Sequence, residues 1–208
     1  MTKIAVLVSG GGTNLQALLD AATRGELQNG EIALVIASRP DAYALERAKN
    51  AGVATAVLCR REYSDGESYA AALNGLLEEA GIGLIVLAGF MTVLPDSFCQ
   101  AWENRIINIH PSLIPSFCGE GFYGLRVHEA ALKKGVKVTG ATVHFVSEVV
   151  DGGAIILQQA VSIEPNDTPE TLQKRVMEQA EWKLLPRAVS LFCQGKLSIQ
   201  DEIVTILD

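Results

Sequence analysis

Short apolar runs alternate along this chain with segments whose apolar residues recur every three or four positions. Ile4 to Val8, IAVLV, is a continuous run rich in β-branched residues. Such a run predicts a strand buried on both faces, as in a parallel sheet. After a cluster of glycines, Leu15, Leu18, Leu19 and Ala22 fall at i, i+3, i+4 and i+7. That spacing gives one apolar face and predicts a helix over about 14–24, with Gly25 ending it. The alternation continues, with strands predicted at 32–38, 54–58, 84–88 and 105–110, helices at 42–51 and 69–80, and a short helix after Pro95. From Ser116 to Arg126, SFCGEGFYGLR, there is no period, and a surface loop near the active end is expected. A helix near 127–134, strands at 138–146 and 155–161, and a long helical stretch over 168–194 follow. Pro186 lies inside that stretch and predicts a kink or break there. Residues 197–204 suit one last short strand. The fold class is α/β: a mostly parallel twisted sheet with helices on both faces. No repeat or linker divides the chain, so one domain over 1–208 is expected.

Composition narrows the function classes. Of 208 residues, 49% are apolar and 20% charged, which excludes a disordered chain. The formal charge is −7 and no Lys/Arg block occurs, so no nucleic-acid partner is expected. The cysteines Cys59, Cys99, Cys118 and Cys193 are far apart and make no C-x-x-C; with three scattered histidines they predict free thiols and no metal site. No signal peptide or membrane-spanning run is visible, since a span needs roughly 20 apolar residues. A cytoplasmic protein without a membrane partner is expected.

The first candidate for chemistry is Ser9-Gly10-Gly11-Gly12-Thr13-Asn14, between the first strand and its helix. Free N–H groups and the dipole at a helix N-terminus favour an anion there, and glycines let it come close. The dinucleotide pattern G-x-G-x-x-G fails at Leu15, and no Gly-Lys-Ser/Thr of a P-loop is present. What is left suits a single terminal phosphate better than a pyrophosphate. It equally fits a tight turn in which Thr13 or Asn14 only caps the helix.

The second is Asn108-Ile109-His110-Pro111. Residues i and i+2 of a strand share a face, so Asn108 and His110 point the same way at the strand's C-terminal end, where open parallel sheets bind ligands. An amide can stabilise an oxyanion, and an imidazole can move a proton. No G-x-S-x-G or activated cysteine accompanies them, so direct transfer between two bound substrates fits better than a covalent acyl-enzyme. A lone strand-end histidine is also compatible with a satisfied structural residue. A nearby carboxylate would decide otherwise, and Asp151, in Val149-Val150-Asp151-Gly152-Gly153, is the best candidate, although it also suits a turn aspartate. His144, two residues from Thr142 on a strand, reads as a core histidine or as a support behind the site, His128 as non-catalytic, and Arg60 and Arg61 as a solvated face or an anion contact.

Taken together these segments resemble the folate-dependent phosphoribosylglycinamide formyltransferases. VSGGGTNLQALL, LAGFMTVL, INIHPSLIP, ATVHFV, DGGAIILQ and Glu181-Trp-Lys-Leu-Leu-Pro186 match in order over nearly the full length. The resemblance implies a Rossmann-like domain that moves a formyl group from the co-substrate 10-formyltetrahydrofolate to the amine of glycinamide ribonucleotide (GAR), with no metal. It implies that Asn108 holds the formyl oxygen, His110 handles the proton, and Asp151 raises the histidine pKa. GAR would be bound by Gly12, Thr13, Asn14 and Glu181. The folate would lie against Met91, Thr92, Val93 and Leu94, the loop Ser147, Glu148, Val149, Val150 and Asp151, and Asn108. A monomer or homodimer is implied.

The chain departs from the family pattern in places. Thr92 stands where some members have arginine, and Gly66 stands near a basic folate contact, so either Arg60 or Arg61 substitutes or the polyglutamate-bearing end is held more loosely. The 116–126 loop is built differently. Around Met177 to Ala180 the helix holds one residue more. Methionyl-tRNA formyltransferase carries a C-terminal RNA-binding domain and formyltetrahydrofolate deformylase an N-terminal regulatory one, and neither is expected here. A non-catalytic ligand-binding protein would lack reason to keep Asn108, His110 and Asp151, and Leu15, which breaks the glycine fingerprint, speaks against a dinucleotide oxidoreductase.

Overall fold

The computed structural model describes residues 1–208. Five parallel strands form its centre: β1 (Thr2–Val8), β2 (Gly30–Ala37), β3 (Ala54–Val57), β4 (Leu84–Leu87) and β5 (Ile106–His110). The helices α1 (Thr13–Thr23), α2 (Ala44–Asn50), α3 (Gly66–Glu79) and α4 (Asp96–Ala101) connect them. After α5 (Leu125–Lys134), β6 (Val138–Phe145) and β7 (Ile155–Ser162) complete the sheet in antiparallel sense, giving the order β3-β2-β1-β4-β5-β6-β7. The strand order reverses between β1 and β4, and the carboxyl ends of the strands on either side of that point are where such sheets bind ligands.

Alternation along β1 explains the two cores. Ile4, Val6 and Val8 pack with α1, α2 and the C-terminal helices, while Ala5 and Leu7 pack with α3 and α4. Both faces are thus covered, and for that reason the strand reads as an unbroken apolar run. Two helix starts are closed by their own side chains: Asp65 accepts from the Ser68 N–H at 2.8 Å, and Thr168 accepts from that of Thr171 at 3.3 Å.

Three expectations need correction. The long C-terminal helix does not break at Pro186. It runs as α6 (Pro169–Val176), a π-helical turn at Met177–Glu181, and α7 (Trp182–Cys193), with Pro186 inside α7. The π turn takes in the extra residue and moves the hydrogen-bond ladder out of α register just upstream of the proline. Residues 197–204 are not a single strand but open a hairpin, β8 (Leu197–Gln200) with β9 (Ile203–Ile206), turned by Asp201 and Glu202 at positive φ. The α5 helix starts two residues earlier than expected, at Leu125. All four cysteines are free, Cys59 and Cys99 buried and the other two half-buried. No helix is long and apolar enough to cross a membrane.

His128 on α5 is buried, and neither ring nitrogen has a partner. Burial, helped by the neighbouring His110 charge, brings its pKa from 6.5 down to about 4. A folded-state pKa below the unfolded one leaves stability intact above about pH 6.5 and removes it as pH falls toward 4. The gap is worth on the order of 3 kcal/mol. His128→Leu should therefore keep its Tm at pH 7.5 and lose less of it than the wild type between pH 6.5 and 4. Equal losses in the two proteins would exclude His128 as the acid-sensitive group.

Candidate active site

Asn108 and His110 end β5, and their common face is set by the strand's period. The neighbouring strand is antiparallel, so Asn108 lies opposite His144 and His110 opposite Thr142. The Thr142 hydroxyl donates to the Ser112 carbonyl at 2.7 Å and accepts from the Ile114 N–H at 3.1 Å. These bonds fasten the turn that follows His110 to the sheet.

Asp151 reaches this pair from the loop between β6 and β7. Its backbone is left-handed, with φ 56°, a conformation that aspartate tolerates better than most residues. Two residues on, a side chain at Gly153 would run into the Phe145 carbonyl, so the loop can return against β6 only as glycine. One Asp151 oxygen, Oδ2, lies 3.4 Å from His110 Nδ1 and accepts from the Gly119 N–H at 2.8 Å. The other, Oδ1, lies 3.7 Å from His144 Nε2. His110 Nε2 is 2.9 Å from the Phe117 carbonyl, so the 116–126 loop is not a free surface loop but packs onto both residues.

His110 is 4% exposed, and both ring nitrogens face acceptors, a carboxylate and a carbonyl. That arrangement suits a ring with a proton on each nitrogen. Burial acts the other way and is stronger: it holds the His110 pKa below the ordinary value, while Asp151 and the Phe117 carbonyl pull it part of the way back. The contribution of Asp151 is upward, as expected, and burial outweighs it. Burial would push Asp151 up, but the His144 ring, the His110 charge and the Gly119 N–H together bring it below the usual carboxylate value.

The glycine turn lies at the end of β1. Gly12 precedes α1 in a left-handed conformation, φ 71°, and no side chain caps the helix. Neither Thr13 nor Asn14 is the cap, which removes the purely structural explanation for them. Thr13 Oγ1 instead meets Met177 Sδ at 3.6 Å, and Asn14 Nδ2 donates to Glu181 Oε2 at 2.7 Å. The π turn thus brings Met177 and Glu181 onto the turn. Glu181 is 6% exposed, and burial, opposed by Asn14, pushes its pKa up to about 7. Asn14 Oδ1 is buried without a partner.

Of the remaining expected positions, Met91, Val93, Val149 and Val150 are exposed and Leu94 is buried. Thr92 and Ser147 are partly exposed, and Glu148 accepts from Gln100 Nε2 on α4 at 2.7 Å. Exposed apolar side chains at the mouth of a sheet are a common mark of a binding surface. Thr92 also lines a cavity of about 530 Å³ with Ser38, Arg39, Cys59, Arg60 and Arg61. Gly66 opens α3 and is not part of that cavity. No group of three or more His, Cys, Asp or Glu side chains is placed to hold a metal ion.

Comparison with known proteins decides the family. The model of the formyl transferase family matches residues 2–189. The chain belongs to that family. The phosphoribosylglycinamide formyltransferase of Haemophilus influenzae is 42% identical over 98% of this chain and 92% of its own length. The trifunctional purine biosynthetic protein adenosine-3 of Gallus gallus is 44% identical over 95% of this chain, which spans 19% of that longer protein. Among solved structures, glycinamide ribonucleotide transformylase 1 from Symbiobacterium toebii superposes with a TM-score of 0.93 at 45% identity, covering 100% of this chain and 95% of its own.

Three further groups surround Asn108, His110 and Asp151: the His144 ring, the Phe117 carbonyl and the Gly119 N–H. His144 is both buried in the core and a neighbour of the site, with Asn108 Nδ2 3.1 Å from its Nε2. Its Nδ1 lies 2.7 Å from the Phe145 carbonyl, which only accepts, so Nδ1 carries a proton, while Nε2 lies between the Asn108 amide and Asp151 Oδ1. The period-2 pair Thr142 and His144 mirrors Asn108 and His110, and that was the available signal. The Phe117 carbonyl and Gly119 N–H are backbone groups of an aperiodic loop and left no signal.

Proposed function

We propose that this chain transfers the formyl group of 10-formyltetrahydrofolate to the amine of GAR, with residues 1–208 acting as one formyltransferase domain. The observation that carries this reading is the meeting of Asp151 with His110, 3.4 Å apart, beside an amide on the same strand face. Family membership supports the reaction class, and the full-length relative named for GAR supports the acceptor.

The GAR amine attacks the formyl carbon, and the carbonyl electrons move onto oxygen. Asn108 donates to that oxyanion through Nδ2, whose other N–H faces His144. The bond from carbon to the folate nitrogen then breaks. His110 Nε2 exchanges its Phe117 partner for that nitrogen and delivers its proton, and the attacking amine gives up one in return. Asp151 keeps the ring oriented and stabilises its charge. The GAR phosphate rests on Gly12, Thr13 and Asn14, where a single anion needs no pyrophosphate fingerprint. Glu181 faces the ribose or glycinamide end. The pterin lies between Met91 to Leu94 and Ser147 to Asp151, and Arg60 and Arg61, which share a cavity with Thr92, serve the acidic tail in place of the missing basic residues.

Turnover with GAR and 10-formyltetrahydrofolate, followed by folate absorbance, tests the proposal. Tetrahydrofolate should form only when GAR is present. Release without an acceptor would make the chain a deformylase, and folate binding without turnover would make it a binding protein.

A further inference from the structure

The three glycines explain how an anion can approach the turn, but not what holds so flexible a segment in one shape. Arg47, on α2, supplies an answer. Its Nε donates to the Gly11 carbonyl at 2.7 Å, and its Nη1 donates to Gln16 Oε1 on α1 at 2.9 Å. The Ala44 N–H at the start of the same helix donates to the Gly10 carbonyl at 3.1 Å. Two successive carbonyls of the turn are therefore drawn toward α2. In a trans peptide the next N–H points the opposite way, so the pull on Gly11 turns the Gly12 N–H away from α2. The N–H groups of Gly12, Thr13 and Asn14 make no backbone hydrogen bond. Packing allows only this arrangement: a side chain at Gly12 would lie 2.7 Å from the Ala44 Cβ. The Tyr43 ring, 5.1 Å from the guanidinium carbon, holds Arg47 from its outer side.

We propose that Arg47 is the positioning residue of the phosphate cradle. It bridges α2 to Gly11 and Gln16, fixes the free N–H groups toward one point, and adds a positive charge beside them. This rests on the GAR reading, which supplies the anion.

Arg47→Ala and Arg47→Lys test it. With charge-assisted bonds at stake, the alanine variant should raise the KM for GAR about 10-fold or more. The KM for the folate and kcat at saturation should move by less than about 3-fold, since neither depends on the cradle's shape once it is filled. Lysine keeps the charge but cannot bridge Gly11 and Gln16 together, so it should recover only part of the loss. A titration with inorganic phosphate, followed by the amide resonances of Gly12, Thr13 and Asn14, needs no turnover. Those resonances should shift in the wild type and shift at higher phosphate in Arg47→Ala. Unchanged phosphate affinity, or equal changes in both KM values and kcat, would overturn the proposal. If the wild type fails to use GAR, the functional reading falls, and the phosphate titration still decides the role of Arg47.

Discussion

His110→Ala is expected to lower kcat by about 10²–10⁴-fold, the range a positioned proton donor supplies, and Asn108→Ala by about 10²–10³-fold, the range of one oxyanion donor. Neither change should move Tm by more than a few degrees. The contacts of His110 are with Asp151 and a loop carbonyl, not with the cores that hold the sheet. Asn108 is only half-buried and bonds to one ring. Removing the imidazole does strand a buried carboxylate, so His110→Gln serves as a second variant that leaves Asp151 a donor. The double variant Asn108→Ala/His110→Ala should be little slower than the worse single one, because amide and imidazole serve the same collapse of one intermediate. Wild-type rates in both single variants would exclude the mechanism. Losses that simply multiply in the double variant would separate the two roles.

The sequence carried the central sheet and half of the site because both obey local periods. Ile4 to Val8 is an unbroken apolar run because two helix layers cover β1. Asn108 and His110 are two residues apart, so a strand must place them side by side. The partner at Asp151 lies 41 positions away from His110 in the chain. Only its residue type and glycine neighbours marked it, and its φ of 56° and the crowding at Gly153 give those neighbours their reason.

What escaped the sequence depends on pairings between distant segments. A repeated strand–helix alternation predicts parallel neighbours, whereas β6 runs antiparallel to β5 and so delivers His144 to Asn108. The alternation had already ended at the 116–126 loop: β6 and β7, with no helix between them, pair in hairpin sense, and β6 also meets β5 antiparallel although α5 separates them in the chain. Pro186 marked a break that a π turn upstream makes unnecessary. Glu181 was carried over from a motif, and only the widened turn explains how it reaches Asn14, 167 positions earlier.

Asp151→Asn is expected to lower kcat by roughly 10²–10⁴-fold while leaving the loop intact. Asparagine accepts the left-handed backbone at φ 56° as readily as aspartate, and its carbonyl can still receive the Gly119 N–H. The change falls on the ring. With a carboxylate at Nδ1 and a carbonyl at Nε2, His110 can hold a proton on each nitrogen. An asparagine carbonyl in the place of Oδ2 would still face Nδ1 and Gly119 but carry no charge, so the second proton on the ring loses its ionic partner. The pH profile should show this. Burial holds the His110 pKa below the ordinary value, and Asp151 opposes that. Without the charge the pKa falls further, so the loss of kcat with rising pH, as the acid form is depleted, should begin at a lower pH than in the wild type. Stability should follow the opposite limb. The Asp151 pKa is lowered by folding from 3.8, so its ionised form stabilises the wild type above that pH, and the advantage over Asp151→Asn should vanish as the solution is acidified through the folded value. A variant with wild-type kcat and an unmoved descending limb would show that the carboxylate neither charges nor orients His110. The imidazole would then have to act from its contact with the loop alone.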